Sequence, residues 1–501
     1  MIVHFDSGLL RLWIVVFSFG VFVVALKWAR TQRAQALALP PGPIGHWLYG
    51  LRPNPAGLWR QFAEWTEIYG PVFSYRHGSQ VVVVVGRYQA AVEIMEKHGA
   101  VLSDRPRTVA AGEVLSGGMR PLLTRAGDRL RKIRRALHTH MQYGTSAAYS
   151  PIQFENAKNL VLDIMQRPDD HINHARRYAA SVVMTITYGK TTPTSYSDPE
   201  VQRVIRCLSR IGQAVTPGRY LVDSYPALRY VPGYLRQLKA WHREEMELFW
   251  GQAQNVRQKM TRGEGQPCFV TYLMENQRNY QLSDNELAYL AGGMFGAGSD
   301  TTAAAISFVI MAAALHPDAQ ACVQSEIDSV VGPDRIPDFS DEDSLPRLRA
   351  FIMEVLRWRP VSIGGFAHRA TEDIIWNRYR IPAGATVIGN HWSIAHDPDM
   401  FKNPDTFDPQ RWFTNGEPSL SDARIFTFGF GRRVCPGQHI ANRSVFITAA
   451  MLLWSFTISE DPCRPIDSMA MTDSANVHPL PFFAKFHPRR DNLREFVQTP
   501  T

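Results

Sequence analysis

The pattern of apolar and polar positions changes character along the chain. From Leu12 to Leu26 it is an apolar run broken only by Ser18. With Gly8, Leu9 and Leu10 ahead of Arg11, it nearly reaches the ~20 residues that cross a bilayer. Leu58, Phe62, Trp65 and Tyr69 then recur at near-helical spacing, and Gly70-Pro71 ends that pattern. Val72–Arg76 and Val81–Val85 read as strands around a His77-Gly78 turn. Residues 89 to 360 are mostly helical in pattern. Residues 361 to 395 read as short strands and turns, with Ile381-Pro382-Ala383-Gly384 a turn. The fold class expected is a mainly α body with a small β portion on its N-terminal side.

One helix stands apart. Ser283 and Glu286 form a capping-box signature, and no proline follows until Pro317. That predicts a helix of about thirty residues, far beyond the usual length. Its middle is dense in glycine, at 292, 293, 296 and 298. Each costs roughly 1 kcal/mol relative to alanine inside a helix. Close approach of a large flat ligand and tight helix–helix packing both explain them. Asp300, Thr301 and Thr302 follow at once. Polar groups that disturb a buried helix tend to mark functional sites.

Composition narrows the class. The 501 residues are 45% hydrophobic, ample for a large core, and the formal net charge is +8. Lys and Arg are scattered apart from one cluster at Arg129–Arg135, so there is no nucleic-acid stripe. The five cysteines (Cys207, Cys268, Cys322, Cys435, Cys463) are widely spaced and form no C-x-x-C pair. That excludes a disulfide framework and a structural zinc site, and fits a reducing compartment.

Charge also orients the first apolar run. Asp6 precedes it; Lys27, Arg30 and Arg33 follow. The positive-inside rule places everything after residue 27 in the cytosol. A cleaved signal peptide is the rival reading, since Ala34-Gln35-Ala36 has the small-x-small form. A signal peptide carries its positive charges ahead of the run, which favours an uncleaved anchor. Leu39-Pro40-Pro41-Gly42-Pro43 reads as a stiff hinge. The chain divides into an anchor over 1–27, a basic and Pro-rich hinge over 28–45, and one body over 46–501.

The sharpest segment is Phe428-Gly429-Phe430-Gly431-Arg432-Arg433-Val434-Cys435-Pro436-Gly437. Three glycines let the backbone fold tightly around one cysteine. Loop N–H groups, Arg433 and the start of an apolar helix from about Gln438 to Leu453 would all favour thiolate over thiol. Taken alone, the segment reads by default as a buried structural cysteine in a glycine-rich turn. It resembles the haem-binding loop of the cytochrome P-450 superfamily, F-G-x-G-x-R-x-C-x-G, at all six fixed positions. The resemblance implies that fold, with the long helix lying over the haem and 46–501 as a haem-thiolate catalytic domain. It implies haem b with Cys435 as the axial ligand to iron, and Phe428 in the haem-contacting loop.

Other segments resemble the same family in the same order. Glu354-Val355-Leu356-Arg357 resembles its E-x-x-R helix, and Asp408-Pro409-Gln410-Arg411-Trp412 the segment whose arginine completes a structural triad of Glu354, Arg357 and Arg411. Ala297-Gly298-Ser299-Asp300-Thr301 is similar to its oxygen-activation motif. There Gly298 would make room for dioxygen, Thr301 would hydrogen-bond it, and Asp300 would relay protons. Arg433 matches the arginine that binds a haem propionate. His368 aligns with a Pro-His position, with Ala367 in place of the proline. Arg134 matches the arginine of a W-x-x-x-R pattern in which Leu130 stands for tryptophan.

The resemblance implies a monooxygenase that inserts one oxygen atom from O2 into a substrate, with electrons from NADPH through a flavoprotein reductase. The basic cluster around Lys132 and Arg135 would steer that acidic partner. It also implies a single-pass anchor in the endoplasmic reticulum. Substrate contacts are expected from Ser103–Gly127, Ile205–Tyr234, Met294–Asp300, Val361–Phe366 and Ser468–Val477. These are rich in small and apolar residues, which favours a lipophilic small molecule. Tyr220–Pro226 resembles fungal members, many of which oxidise terpenoids and other secondary metabolites. Two other functions keep the haem: an isomerase or dehydratase that rearranges a peroxide, and a non-catalytic sensor. Asp300 and Thr301 speak against the first, and the full set of motifs against the second.

Overall fold

The computed structural model describes residues 37–46, 50–51, 53–191, 194–414, 417–418 and 426–498. The expected membrane run, the basic stretch after it and the small-x-small tripeptide lie outside the described residues. The prolines that follow are packed against the body. Ser74 donates from its backbone N–H to Pro41 O (2.7 Å) and from Oγ to Pro40 O (2.6 Å). A Cβ on Gly42 would sit 1.8 Å from Ser74 O, so only glycine fits beside the strand.

The first helix, α1 (Leu58–Tyr69), buries Trp59, Phe62 and Thr66 along one stripe. It leads into a hairpin of β1 (Val72–His77) and β2 (Gln80–Val85). The strands run one residue further into the turn than the apolar pattern indicates, because His77 pairs with Gln80 and Gly78 supplies the positive φ of a two-residue turn. Val82 to Val85 are all buried, and alternation explains how. Val82 and Val84 pack with Phe62, Phe73 and Tyr75. Val83 and Val85 face the other way, toward Ile94, Val387 and Phe430.

The helical body follows: α2 (Asp128–Met141), α3 (Ser150–Gln166), α4 (His171–Tyr188), α5 (Pro199–Val215), α6 (Arg236–Thr261), α7 (Asp284–Leu315), α8 (Pro317–Val330) and α9 (Pro346–Trp358). The long helix is α7, with 32 residues. Its capping box is formed: Glu286 N–H donates to Ser283 Oγ (3.2 Å), and Ser283 N–H to Glu286 Oε2 (2.9 Å). It packs most extensively against α4. Among the described residues it is the one helix long and apolar enough to cross a membrane. It is buried on nearly all sides, as a core helix of a large protein is.

Short strands β3 (His368–Arg369), β4 (Ile374–Trp376), β5 (Tyr379–Ile381) and β6 (Thr386–Gly389) fill the segment after α9. β6 runs parallel to β2 and antiparallel to β3, giving a four-stranded sheet in the order β1-β2-β6-β3. The expectation of strands and turns alone is corrected at His391–Ala395, a helical turn. Asn390 tethers it, donating to Ser393 Oγ (2.7 Å) and Trp59 O (3.0 Å). The last long helix, α10 (Gln438–Ser455), runs through the core beside α3 and α7, two residues longer than its apolar pattern indicates.

The glycines of α7 are settled mainly by packing. A Cβ on Gly292 would lie 2.1 Å from the Phe249 ring of α6, and one on Gly298 2.7 Å from Val183 Cγ2 of α4. At Gly296 it would meet Leu208 of α5 at 3.1 Å. Gly293 is different, with Pro121 at 3.9 Å and nothing closer. Three of the four let neighbouring helices approach.

Candidate active site

The cysteine loop is built by its own backbone. Cys435 N–H donates to Phe428 O (2.8 Å), which closes the loop, and Gly429 N–H donates to Phe426 O (2.8 Å). Gly429 and Gly431 take φ of 85° and 48°, the left-handed region that glycine enters without penalty. Gly431 is also pressed on Gly99, where a Cβ would meet Cα at 2.9 Å, and its N–H donates to Glu96 Oε1 (2.8 Å). Phe430 anchors the loop in the sheet's core. Cys435 lies deep in the protein, yet part of its surface is accessible. α10 begins three residues later, as expected.

The electrostatics of the sulfur differ from expectation. Burial is the largest influence and pushes the Cys435 thiol up; the Gly437 N–H and the charge of Arg134 oppose it. Arg433 is not the cation acting on the sulfur, because its guanidinium is turned away. It donates to Ser103 O (2.6 Å), Thr124 O (2.7 Å) and Pro121 O (3.4 Å). Arg134, from α2, reaches the loop itself and donates to Val434 O (3.3 Å).

Beside the loop, Glu354 and Arg357 on α9 meet Arg411. Arg357 Nε and Nη2 reach the two Glu354 oxygens at 2.8 and 2.7 Å, and Arg411 Nε shares Oε1 at 3.0 Å. The Asp408 N–H and Trp412 Nε1 complete the carboxylate's set at 2.9 and 3.1 Å. Arg357 spends its remaining donors on Ala395 O, Pro404 O and Thr406 O. Such a cluster is satisfied throughout, which is the condition for a buried charge network to hold.

A second cation cluster is only partly offset, by Asp104. Arg105, Arg134 and Arg433 are close enough to disfavour one another's charge. Burial comes first, and these neighbours then help push Arg105 down to about 9; for Arg433, burial and Arg134 push it down to about 10. Arg105 donates only to carbonyls, at Leu122 (3.1 Å), Phe366 (3.1 Å) and Ala367 (2.6 Å). The adjacent Asp104 is committed to Arg125 and Arg369, each at 3.2 Å. Three clustered cations with one shared carboxylate nearby remain costly, and a ligand bearing two carboxylates would relieve them. His368 sits beside them, with Nδ1 bonded to Leu102 O (2.7 Å) and its pKa pushed down to about 3 by burial and then by Arg105. The ring is therefore neutral, with its proton on Nδ1 and Nε2 left as an acceptor. Sequence reading missed Arg105. Its signal was weak, an Asp-Arg-Pro run inside a segment assigned to substrate.

The middle of α7 carries the remaining groups. Gly293, Met294, Ala297, Gly298, Asp300 and Thr301 are accessible while the rest of the helix's middle is buried, and Ala297 is exposed. Their spacing of three and four residues defines one stripe, so α7 borders an internal void there. Thr301 Oγ1 donates to Ala297 O (2.8 Å). Asp300 points to a loop near the C-terminus: Asn476 Nδ2 lies 3.2 Å from Oδ2 and His478 Nε2 2.9 Å from Oδ1. Acid and hydroxyl are adjacent in sequence, but each side chain is engaged elsewhere.

The accessible stripe of α7, a partly accessible Cys435 and a cation cluster matched to two carboxylates fit a haem. The comparisons agree. The cytochrome P450 family model matches residues 40–486. "Cytochrome P450 monooxygenase 88" of Postia placenta is 54% identical over 482 residues, covering 96% of this chain and 97% of its own. "Cytochrome P450 monooxygenase ARMGADRAFT_1018418" of Armillaria gallica is 34% identical over 96% of this chain and 97% of its own. "Cytochrome P450 monooxygenase fogE" of Aspergillus ruber is 34% identical over 86% and 83%. The chain belongs to the cytochrome P450 family and is a haem-dependent monooxygenase, an oxidoreductase of the class that binds haem through a cysteine thiolate.

Proposed function

We propose that the chain hydroxylates or similarly oxidises a lipophilic small molecule such as a terpenoid, with electrons supplied from NADPH by a flavoprotein reductase. One observation carries the substrate class. The accessible stripe of α7 is Gly293, Met294, Ala297, Gly298 and Thr301 with Asp300 beside it, so a ligand lying there meets mainly small and apolar groups, one hydroxyl and one carboxylate already engaged by Asn476 and His478. When bound, the haem supplies the oxygen activation. The chain's own parts do the rest. Cys435 would hold the iron, Arg105, Arg134 and Arg433 would hold the propionates with the His368 ring beside them, and Asp300 and Thr301 would manage protons on the side of α7. Arg134 lies on α2, the helix that also carries the exposed Arg135 and the half-buried Lys132, which supports reductase docking on the cysteine side. In that cluster, Arg129 and Arg131 pair with Glu286 and Asp128.

The anchor reading belongs to the same proposal: a single pass through the endoplasmic reticulum membrane, with the body cytosolic. It is supported by the Leu12–Leu26 run and by exposed Leu221, Tyr225, Tyr230, Val231 and Tyr234, gathered in one segment where rings with polar tips suit a lipid interface.

The test pairs spectra with turnover. The reduced, carbon-monoxide-bound protein should show a strongly red-shifted Soret band that Cys435→Ser abolishes. A panel of terpenoids and polar analogues should give substrate-induced spectral shifts with the terpenoids only; shifts confined to polar compounds would remove the substrate class. Charge reversal at Lys132 and Arg135 should lower reductase-driven turnover and spare peroxide-driven turnover. Equal loss of both would remove the docking site.

A further inference from the structure

The carboxylate of Asp300 is held from outside its helix. Asn476 and His478 approach its two oxygens separately, at 3.2 and 2.9 Å. A carboxylate accepts only, so His478 carries its proton on Nε2. The Asn476 amide makes a second bond, its Oδ1 accepting from Ser362 Oγ (2.8 Å), and its orientation is set at the other end, where a flipped amide would put Oδ1 against the Asp300 carboxylate, acceptor against acceptor. The loop carrying both residues is closed on itself. Thr472 N–H donates to His478 O (2.9 Å) and His478 N–H to Thr472 Oγ1 (2.9 Å). It is tied to the segment after α9 by Val477 N–H on Val361 O (2.8 Å), and to the start of α1 by Gly57 N–H on Asp473 Oδ1 (3.1 Å). His478 and the Asp300 side chain remain partly accessible, at 15% and 23%.

We propose that His478 and Asn476 are positioning residues for proton delivery. They fix the rotamer of Asp300, and so couple the acid on α7 to the loop over 472–478. The proposal rests on the monooxygenase reading. A carboxylate free to rotate among its staggered wells would spend much of its time misdirected, and small misplacements of a proton donor are costly in rate. Without substrate, dioxygen takes two electrons and two protons to leave as hydrogen peroxide, or four of each to leave as two waters. The electrons come from NADPH through the reductase. The peroxide share therefore reports how well protons are delivered.

The experiment uses the full-length haem protein with a purified NADPH-dependent reductase and no added substrate. His478→Ala should raise the peroxide share roughly threefold or more at unchanged haem content. His478→Gln, which keeps a donor near Nε2, should restore it, and Asn476→Leu should fall between. Asp300→Asn should match His478→Ala, and the double variant should be no worse than Asp300→Asn, since the residues act as one unit. Hydrogen exchange gives a second readout: amides of 472–478 should exchange faster in both Asp300→Asn and His478→Ala. Wild-type peroxide share in His478→Ala, equal impairment in His478→Ala and His478→Gln, or unchanged exchange of the loop would each overturn the proposal. If His478→Ala does not take up haem, Asn476→Leu decides in its place by the same two readouts. A wild-type protein without the red-shifted carbon monoxide band fails the monooxygenase reading instead, so the two failures are distinguishable.

Discussion

Glu354 receives both prongs of the Arg357 guanidinium, at 2.8 and 2.7 Å, and both side chains are wholly inaccessible. The i, i+3 spacing on α9 puts them on one face, but the pair matters for what its spare groups reach. Arg357 ties Ala395, Pro404 and Thr406 to α9, while Glu354 ties Asp408, Arg411 and Trp412. One ion pair thus fixes the chain over 395–412, ahead of the cysteine loop. Glu354→Gln leaves two guanidinium groups buried without a counter-charge, at a cost of about 3–5 kcal/mol. The variant should express with little bound haem and melt well below wild type. A melting curve superimposable on wild type would contradict this assignment.

Arg105 should matter for retaining haem rather than for folding. Its guanidinium donates only to main-chain carbonyls and stands beside Arg433 and Arg134. Losing a charge-assisted bond to a carboxylate costs about 1.5–3 kcal/mol. Arg105→Leu should release haem to apomyoglobin roughly ten- to a hundredfold faster, and Arg105→Lys should lie between it and wild type. Identical release from all three would show that the propionates are held elsewhere.

Gly292 and Gly293 are neighbours in α7 with opposite expectations. Gly292→Ala forces a methyl group into the Phe249 ring and should destabilise by about 1–3 kcal/mol. Gly293→Ala meets nothing nearer than Pro121 at 3.9 Å, and gains up to about 1 kcal/mol of helix propensity. Urea midpoints of the two variants should move in opposite directions. Equal destabilisation would mean that the void, and not packing, dictates both.

Acid sensitivity should trace to buried histidines. His171, packed between Phe482 and Phe486, is pushed down to about 4, chiefly by burial. Its folded pKa lies below the ordinary 6.5, so the unfolded chain takes the proton first. The stability this group contributes is complete above pH 6.5 and is lost as pH falls toward 4, by about 1.4 kcal/mol per pH unit. His171→Gln should shrink the stability difference between pH 7 and pH 5 by about 2 kcal/mol. Some acid limb will remain, because His391 is held at about 4 and His396 at about 3, both chiefly by burial. An unchanged difference would place the sensitivity elsewhere.

The sequence alone determined what is written locally. Periodicity located α1, the β1–β2 hairpin and the full span of α7, because side-chain period and capping act within a few residues. The spacing around Cys435 and within Glu354–Arg357 likewise announced the family and the ligand. Tertiary structure decided what depends on distant neighbours. It assigned Gly292, Gly296 and Gly298 to contacts with Phe249, Leu208 and Val183. It turned Arg433 onto carbonyls, gave the sulfur Arg134 as its cation, and added Arg105 to the cluster. It also set His478 and Asn476 on a carboxylate 178 and 176 residues away in the chain. The physical reason is common to all of these. A residue's local preference depends on its neighbours in sequence, whereas its charge state, its room for a Cβ and its hydrogen-bond partner are set by groups that only folding brings near.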